Sequence, residues 1–138
     1  MKKSDIIRKI VHYFKGRPEV VAVYLFGSYA KDREKHSSDI DLAVLVMHRV
    51  FTKEKDLAIT YTVDLGRLLK KDFHISIMNN AGESVLDQIY RYGQIIFQRD
   101  YKALSHFRTF SYAMIADFSY HKNLMEKSFI SKIIGENQ

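Results

Sequence analysis

Cysteine is absent from this 138-residue chain, proline occurs once, and tryptophan does not occur. Without cysteine there is no disulfide framework, no thiolate nucleophile, no Cys-based zinc site and no thioredoxin-like redox pair. No apolar run approaches the roughly 20 residues that span a bilayer, and the opening MKKSDIIRKI lacks the uninterrupted apolar core of a secretory signal. The expected compartment is therefore the cytosol, with no membrane partner. A block of one charge sign is missing too. The formal charge is +6, with 10 basic and 6 acidic residues in 1–50, 7 and 7 in 51–100, and 5 and 3 in 101–138. A bias this diffuse favours an anionic partner without choosing among nucleic acid, nucleotide and acidic protein surface, and it does not require direct nucleic-acid binding.

What is present is one domain's length with 46% hydrophobic residues, enough for a core. Ile6, Ile7, Ile10, Val11 and Phe14 recur at helical spacing, predicting a helix over 3–15 with Ser4 and Asp5 as candidate caps and Gly16 as its stop. VVAVYLF (20–26) and IDLAVLVM (40–47) are dense apolar runs that predict buried strands. Leu57, Ala58, Tyr61, Val63, Leu65, Leu68 and Leu69 predict a helix over 52–70. Phe73, Ile75 and Ile77 alternate with His74, Ser76 and Met78 as in a strand, a short helix ends at Gly93, and QIIFQ (94–98) is a last strand. From 101 onward, Tyr101, Leu104, Phe107, Phe110, Met114, Phe118, Leu124, Phe129 and Ile133 form a long apolar stripe. It suits either a helix lying on the domain or a partner surface. The chain divides into a unit at 1–100 and a C-terminal helical extension at 101–138.

The chemistry concentrates in LFGSYAKDREKHSSDIDLAVL (25–45). One strand delivers Gly27 and Ser28 to a turn, ten residues intervene, and the next strand presents Asp39 and Asp41 on one face while Ile40 and Leu42 face the core. Two carboxylates held close repel unless a cation joins them, and hard oxygen donors suit Mg²⁺, which completes its shell with water and substrate phosphates. Gly27 lets the backbone approach a phosphate, and Ser28 offers a hydroxyl and a backbone N–H to a phosphate oxygen. The set suits phosphoryl-type transfer, in which positioning and charge neutralisation do most of the catalysis. Lys31 and Arg33 either reach the triphosphate or belong to a solvated loop; His36 reads as solvated. His106 and His121 have no metal-ligand spacing, and Tyr112 and Tyr120 are either interface anchors or half-buried helix residues.

The run GSYAKDREKHSSDID resembles the Gly-Ser, ten residues, Asp-x-Asp signature of the DNA polymerase β-like nucleotidyltransferase superfamily. In particular it is similar to the minimal nucleotidyltransferases that act as antitoxins to HEPN-domain toxins, as are residues 73–81, YGQIIFQRD (92–100) and ALSHFRTFSYAMIADFSYHKNLMEKSF (103–129). The resemblance implies an α/β (α+β) fold with a small mixed sheet flanked by helices. It implies transfer of AMP from ATP to a hydroxyl, a tyrosine of a cognate HEPN ribonuclease toxin, with two Mg²⁺ ions. Asp39 and Asp41 would be catalytic and metal-binding, and Gly27 and Ser28 nucleotide-binding. Homo-oligomers are compatible with it.

Two departures stand out. Asp32 replaces a frequent glycine, and His74 stands where the family usually supplies a third carboxylate. Three readings of His74 are open: an imidazole ligand or base, a missing charge replaced by Asp72 two residues away, or a catalytically impaired antitoxin that neutralises by binding alone. A stand-alone enzyme for a small acceptor is a further class, against which the chain has little room for a dedicated acceptor pocket.

Overall fold

The computed structural model describes residues 2–30 and 39–136. Its elements are α1 (Lys3–Lys15), β1 (Val20–Phe26), β2 (Ile40–Val46), α2 (His48–Phe51), α3 (Leu57–Leu69), β3 (Phe73–Ile77), α4 (Glu83–Tyr92), β4 (Gln94–Gln98) and α5 (Tyr101–Glu136). The strands form one mixed sheet in the order β3-β2-β1-β4, with β2 and β3 parallel and the other pairs antiparallel. Both faces of the central strands are covered, which is why β1 and β2 are nearly continuous apolar runs rather than alternating ones. On one face α1 and α3 pack through Ile6, Ile10, Phe14, Tyr61 and Leu65; on the other, α4 and the start of α5 pack through Leu86, Ile89 and Leu104.

Several sequence expectations change. α1 is capped by extended Lys2, whose carbonyl accepts from the Asp5 and Ile6 N–H groups, so neither Ser4 nor Asp5 is the cap; Asp5 pairs with Arg8 instead. The helix expected over 52–70 begins only at Leu57. Residues 52–56 are a polar run with nothing to bury, whereas Leu57 is a core residue. A four-residue helix, α2, precedes it. Val63 and Leu68 lie on the solvent side of α3. Met78 leaves β3 for a 3-10 turn and is fully buried, and the Asn79 side chain after it clasps β2 by accepting from Val46 N–H and donating to Val46 C=O.

Arg99 braces the corner where α1 meets the sheet. Its guanidinium donates to the carbonyls of Phe14, Lys15, Arg17 and Val20 and lies over the Phe97 ring. It thereby satisfies carbonyls that a helix C-terminus leaves without intrahelical donors. Arg99→Ala is expected to lower stability by about 1–2 kcal/mol in urea unfolding, discounted for the exposure of the side chain. Arg99→Lys should recover little, because one ammonium cannot span four carbonyls.

α5 has two parts. Leu104 and Ser111 are buried, Tyr90 donates to the Ser111 hydroxyl, and Arg108 donates to the Tyr24 hydroxyl. From residue 116 to residue 135 every position is exposed, so the stripe read from the sequence lies on the domain only as far as Ile115. Among the described residues, no helix is long and apolar enough to cross a membrane.

Candidate functional site

At one end of the sheet, β1 delivers a turn and β2 begins. Phe26 is the register partner of Asp41 in the antiparallel pair, and Asp41 is the partner of His74 in the parallel pair. The row Phe26, Asp41, His74 therefore crosses three strands at the edge where Gly27 leaves β1. Ile40 and Leu42 are fully buried and anchor β2 on either side of Asp41. Tyr29, also buried, ties the turn back to the core.

Gly27 has φ +73°, a conformation that side chains with a Cβ rarely adopt. A Cβ built there would fall on the Asp41 carboxylate, well inside the 3.0 Å limit of real Cβ contacts. The sequence suggests glycine here for phosphate access. The structure adds a nearer reason: the carboxylate occupies the space that any side chain would need. No local sequence signal carries this, because Gly27 and Asp41 are joined only by strand register.

Asp41 is squeezed. Its side chain is only 27% exposed. Burial raises its pKa above the ordinary aspartate value, the nearby His74 opposes that shift, and the Asp39 charge adds to it. His74 Nδ1 lies 3.5 Å from Asp41 Oδ1, and the imidazole is otherwise largely exposed. Asp39 sits just before β2 and is exposed; Ser28 is half-buried in the turn. Asp72 is exposed just before β3, and its backbone carbonyl accepts the Ile40 N–H. Thus Gly27, Asp41 and His74 are brought together with Asp39 beside them. Lys31, Asp32, Arg33 and His36 lie outside the described residues.

Among the described residues, no group of three His, Cys, Asp or Glu side chains converges on a metal position. Two neighbouring carboxylates whose mutual charge disfavours ionisation do fit a hard cation that takes one or two protein oxygens and fills its shell with water and phosphate.

The family model described as polymerase beta, nucleotidyltransferase matches residues 8–102. Among solved structures, a chain of a toxin–antitoxin with AMP-PNP is 20% identical, covers 97% of this chain and 99% of its own, and has a TM-score of 0.67. A chain of the tri-AMPylated Shewanella oneidensis HEPN toxin in complex with MNT antitoxin is 19% identical over 96% and 99%, with TM-score 0.67. A chain of the toxin–antitoxin MntA-HepT is 19% identical over 95% and 98%, with TM-score 0.65. At such identities the likeness is one of fold. No curated protein matches in sequence.

Proposed function

Because the chain belongs to the polymerase beta nucleotidyltransferase family, we propose that the corner formed by Gly27, Ser28, Asp39, Asp41 and His74 transfers AMP from ATP to a tyrosine hydroxyl of a HEPN-domain toxin. The observation that carries this reading is the close seating of the Asp41 carboxylate against the bare Gly27 backbone. It supports the reading by setting the turn proposed to bind phosphate beside the carboxylate proposed to bind the cation. The solved relatives crystallised with AMP-PNP and with a tri-AMPylated toxin support the choice of nucleotide and acceptor.

In the reaction the acceptor oxygen bonds to the α-phosphorus, the bond from that phosphorus to the bridging oxygen of the β-phosphate breaks, pyrophosphate leaves, and the hydroxyl proton passes to a base or to water. Asp39 and Asp41 would hold Mg²⁺, which neutralises charge on the phosphates as it develops. Gly27 and Ser28 supply close backbone approach and hydrogen-bond donors to phosphate oxygens. With Nδ1 3.5 Å from Asp41 Oδ1, His74 would offer Nε2 to the proton of the acceptor hydroxyl. Residues 1–100 would be the transferring unit, and the exposed part of α5 the surface that meets the toxin.

A second reading has its own observation. His74 stands opposite Asp41 where a third carboxylate would complete a second cation site, and the described residues contain no three-ligand cluster. A chain so built could neutralise its partner by binding alone. Purified chain, Mg²⁺, labelled ATP and the toxin separate the readings: label on the toxin is expected. His74→Asp is expected to lower the transfer rate by about 10²-fold if the imidazole is the base. A large gain would identify the natural chain as an impaired enzyme, and no label with either form would leave only the binding function.

A further inference from the structure

We infer that the seam between α1 and α3 binds a single-stranded nucleic acid through its phosphates. The inference is independent of the transfer chemistry, because the seam lies on the sheet face that Ile40 and Leu42 pack against, and Asp41 alternates with them. Along the sequence the positive charge is spread out, and folding gathers it. Residues 2–15 and 57–72, which are α1 and α3 with their flanks, hold eight lysines and arginines against Asp5, Asp64 and Asp72; the rest of the chain holds 14 against 13. Five of the six net charges therefore belong to two helices packed on one sheet face. Two of the three acids are engaged within that layer: Asp5 pairs with Arg8, and Asp64 accepts from the Tyr13 hydroxyl. Helix electrostatics does not account for the whole arrangement. Arg67 and Lys70 suit the end of α3, but Lys2 and Lys3 stand at the start of α1, where the dipole favours acids.

Helix geometry brings these cations to the seam. Tyr13 marks the side of α1 that faces α3, since its hydroxyl reaches Asp64 and its ring meets Tyr61 edge-on. Lys9 is one turn before Tyr13, and Lys2 two turns before Lys9, so both follow that side. On α3, Arg67 and Leu68 are three and four residues past Asp64 and follow the side that faces α1. Arg8, Lys9, His12, Tyr13 and Leu68 line one groove of about 430 Å³. The helices run antiparallel, so Lys70 and Lys71 at the end of α3 prolong the row where α1 begins. The groove thus joins cations to the apolar surface of a half-buried Tyr13 and a Leu68 that is 61% exposed. A single strand meets both, with phosphates for the cations and unpaired bases for the ring and the leucine. Over its thirteen residues α1 is about 20 Å long, room for several nucleotides. A bilayer fits less well, because α1 exposes no large apolar side chain to insert. A duplex keeps its bases stacked away from the groove.

Fluorescence anisotropy tests this, with the full chain titrated into a labelled mixed-sequence RNA strand of about 20 nucleotides, and into the same strand as DNA, at about 50 and about 200 mM KCl. Both strands are expected to bind alike, and affinity should fall at least about tenfold between the two salts, as release of counterions from several phosphates requires. Lys9→Glu with Arg67→Glu should weaken binding at least about tenfold and flatten the salt dependence; Lys9→Gln with Arg67→Gln should do so by less. Lys122→Glu with Lys127→Glu makes the same change in net charge on α5 and should leave affinity within about twofold. All four positions are exposed, and circular dichroism checks that the fold persists. No binding below about 100 μM at the lower salt would overturn the inference. So would an equal loss from the α5 pair, or tighter binding to phosphatidylserine vesicles, polyglutamate or the duplex than to the single strand.

Discussion

Replacing Asp39→Asn together with Asp41→Asn is expected to abolish transfer of labelled AMP to the toxin, a loss of about 10³-fold or more, while the chain stays folded. Amides cannot hold a divalent cation as two carboxylates do, and cation neutralisation is worth several kcal/mol in phosphoryl chemistry. The same substitution at position 41 should raise thermal stability slightly. Burial and Asp39 push the Asp41 pKa up, so ionisation of this group is disfavoured in the folded state. A carboxyl whose folded pKa is raised binds its proton more tightly folded than unfolded, so its contribution falls as pH rises through that range. A neutral amide removes that penalty at pH 7. Lost activity with a midpoint unchanged or up by about 1–3 °C is the expected pair of results in a melting experiment. Equal labelling by the double variant would remove these aspartates from the chemistry. If the variant still silences the toxin in cells without labelling it, neutralisation proceeds by binding.

Gly27→Ala should be nearly as damaging, for a steric reason. The new Cβ must take a left-handed backbone conformation and displace the Asp41 carboxylate. The conformational term alone is about 1–2 kcal/mol. Moving a reacting group by an ångström is worth about 10²-fold in rate, so a loss of that size in transfer is expected with a measurable fall in unfolding free energy. A double-mutant cycle separates the two contributions. In an Asp41→Gly background the clash has no side chain to meet, and the stability loss from Gly27→Ala should shrink to the backbone term. Strict additivity would place the two residues out of contact.

Much of this was legible in the residues because the central strands are covered on both faces. VVAVYLF and the apolar run from Ile40 stand out for that reason, and their strand bounds agree with the runs to within a residue. Gly27, Ser28, Asp39 and Asp41 are legible as a spaced set, and the strands do bring Gly27 and Asp41 into contact. The start of α3 was not legible, because Thr52–Asp56 carries helix-compatible residues and only the absence of anything to pack against stops the helix. The Arg99 brace was hidden because its four acceptors are backbone carbonyls, which have no residue signature. The His74 contact with Asp41 depends on the parallel register of β2 and β3, a pairing that alternation within either strand cannot specify.

The bare half of α5 also bears on how long the chain survives. A twenty-residue helix without tertiary cover is marginal in water and opens at little free-energy cost. Lys122, Lys127 and Lys132 lie on it, all exposed, as cleavage points for a trypsin-like protease. Whatever covers this segment shields those bonds. Occupancy of this one helix is then expected to set how readily a protease cuts the chain, so that a bound partner would protect it as well as being held by it.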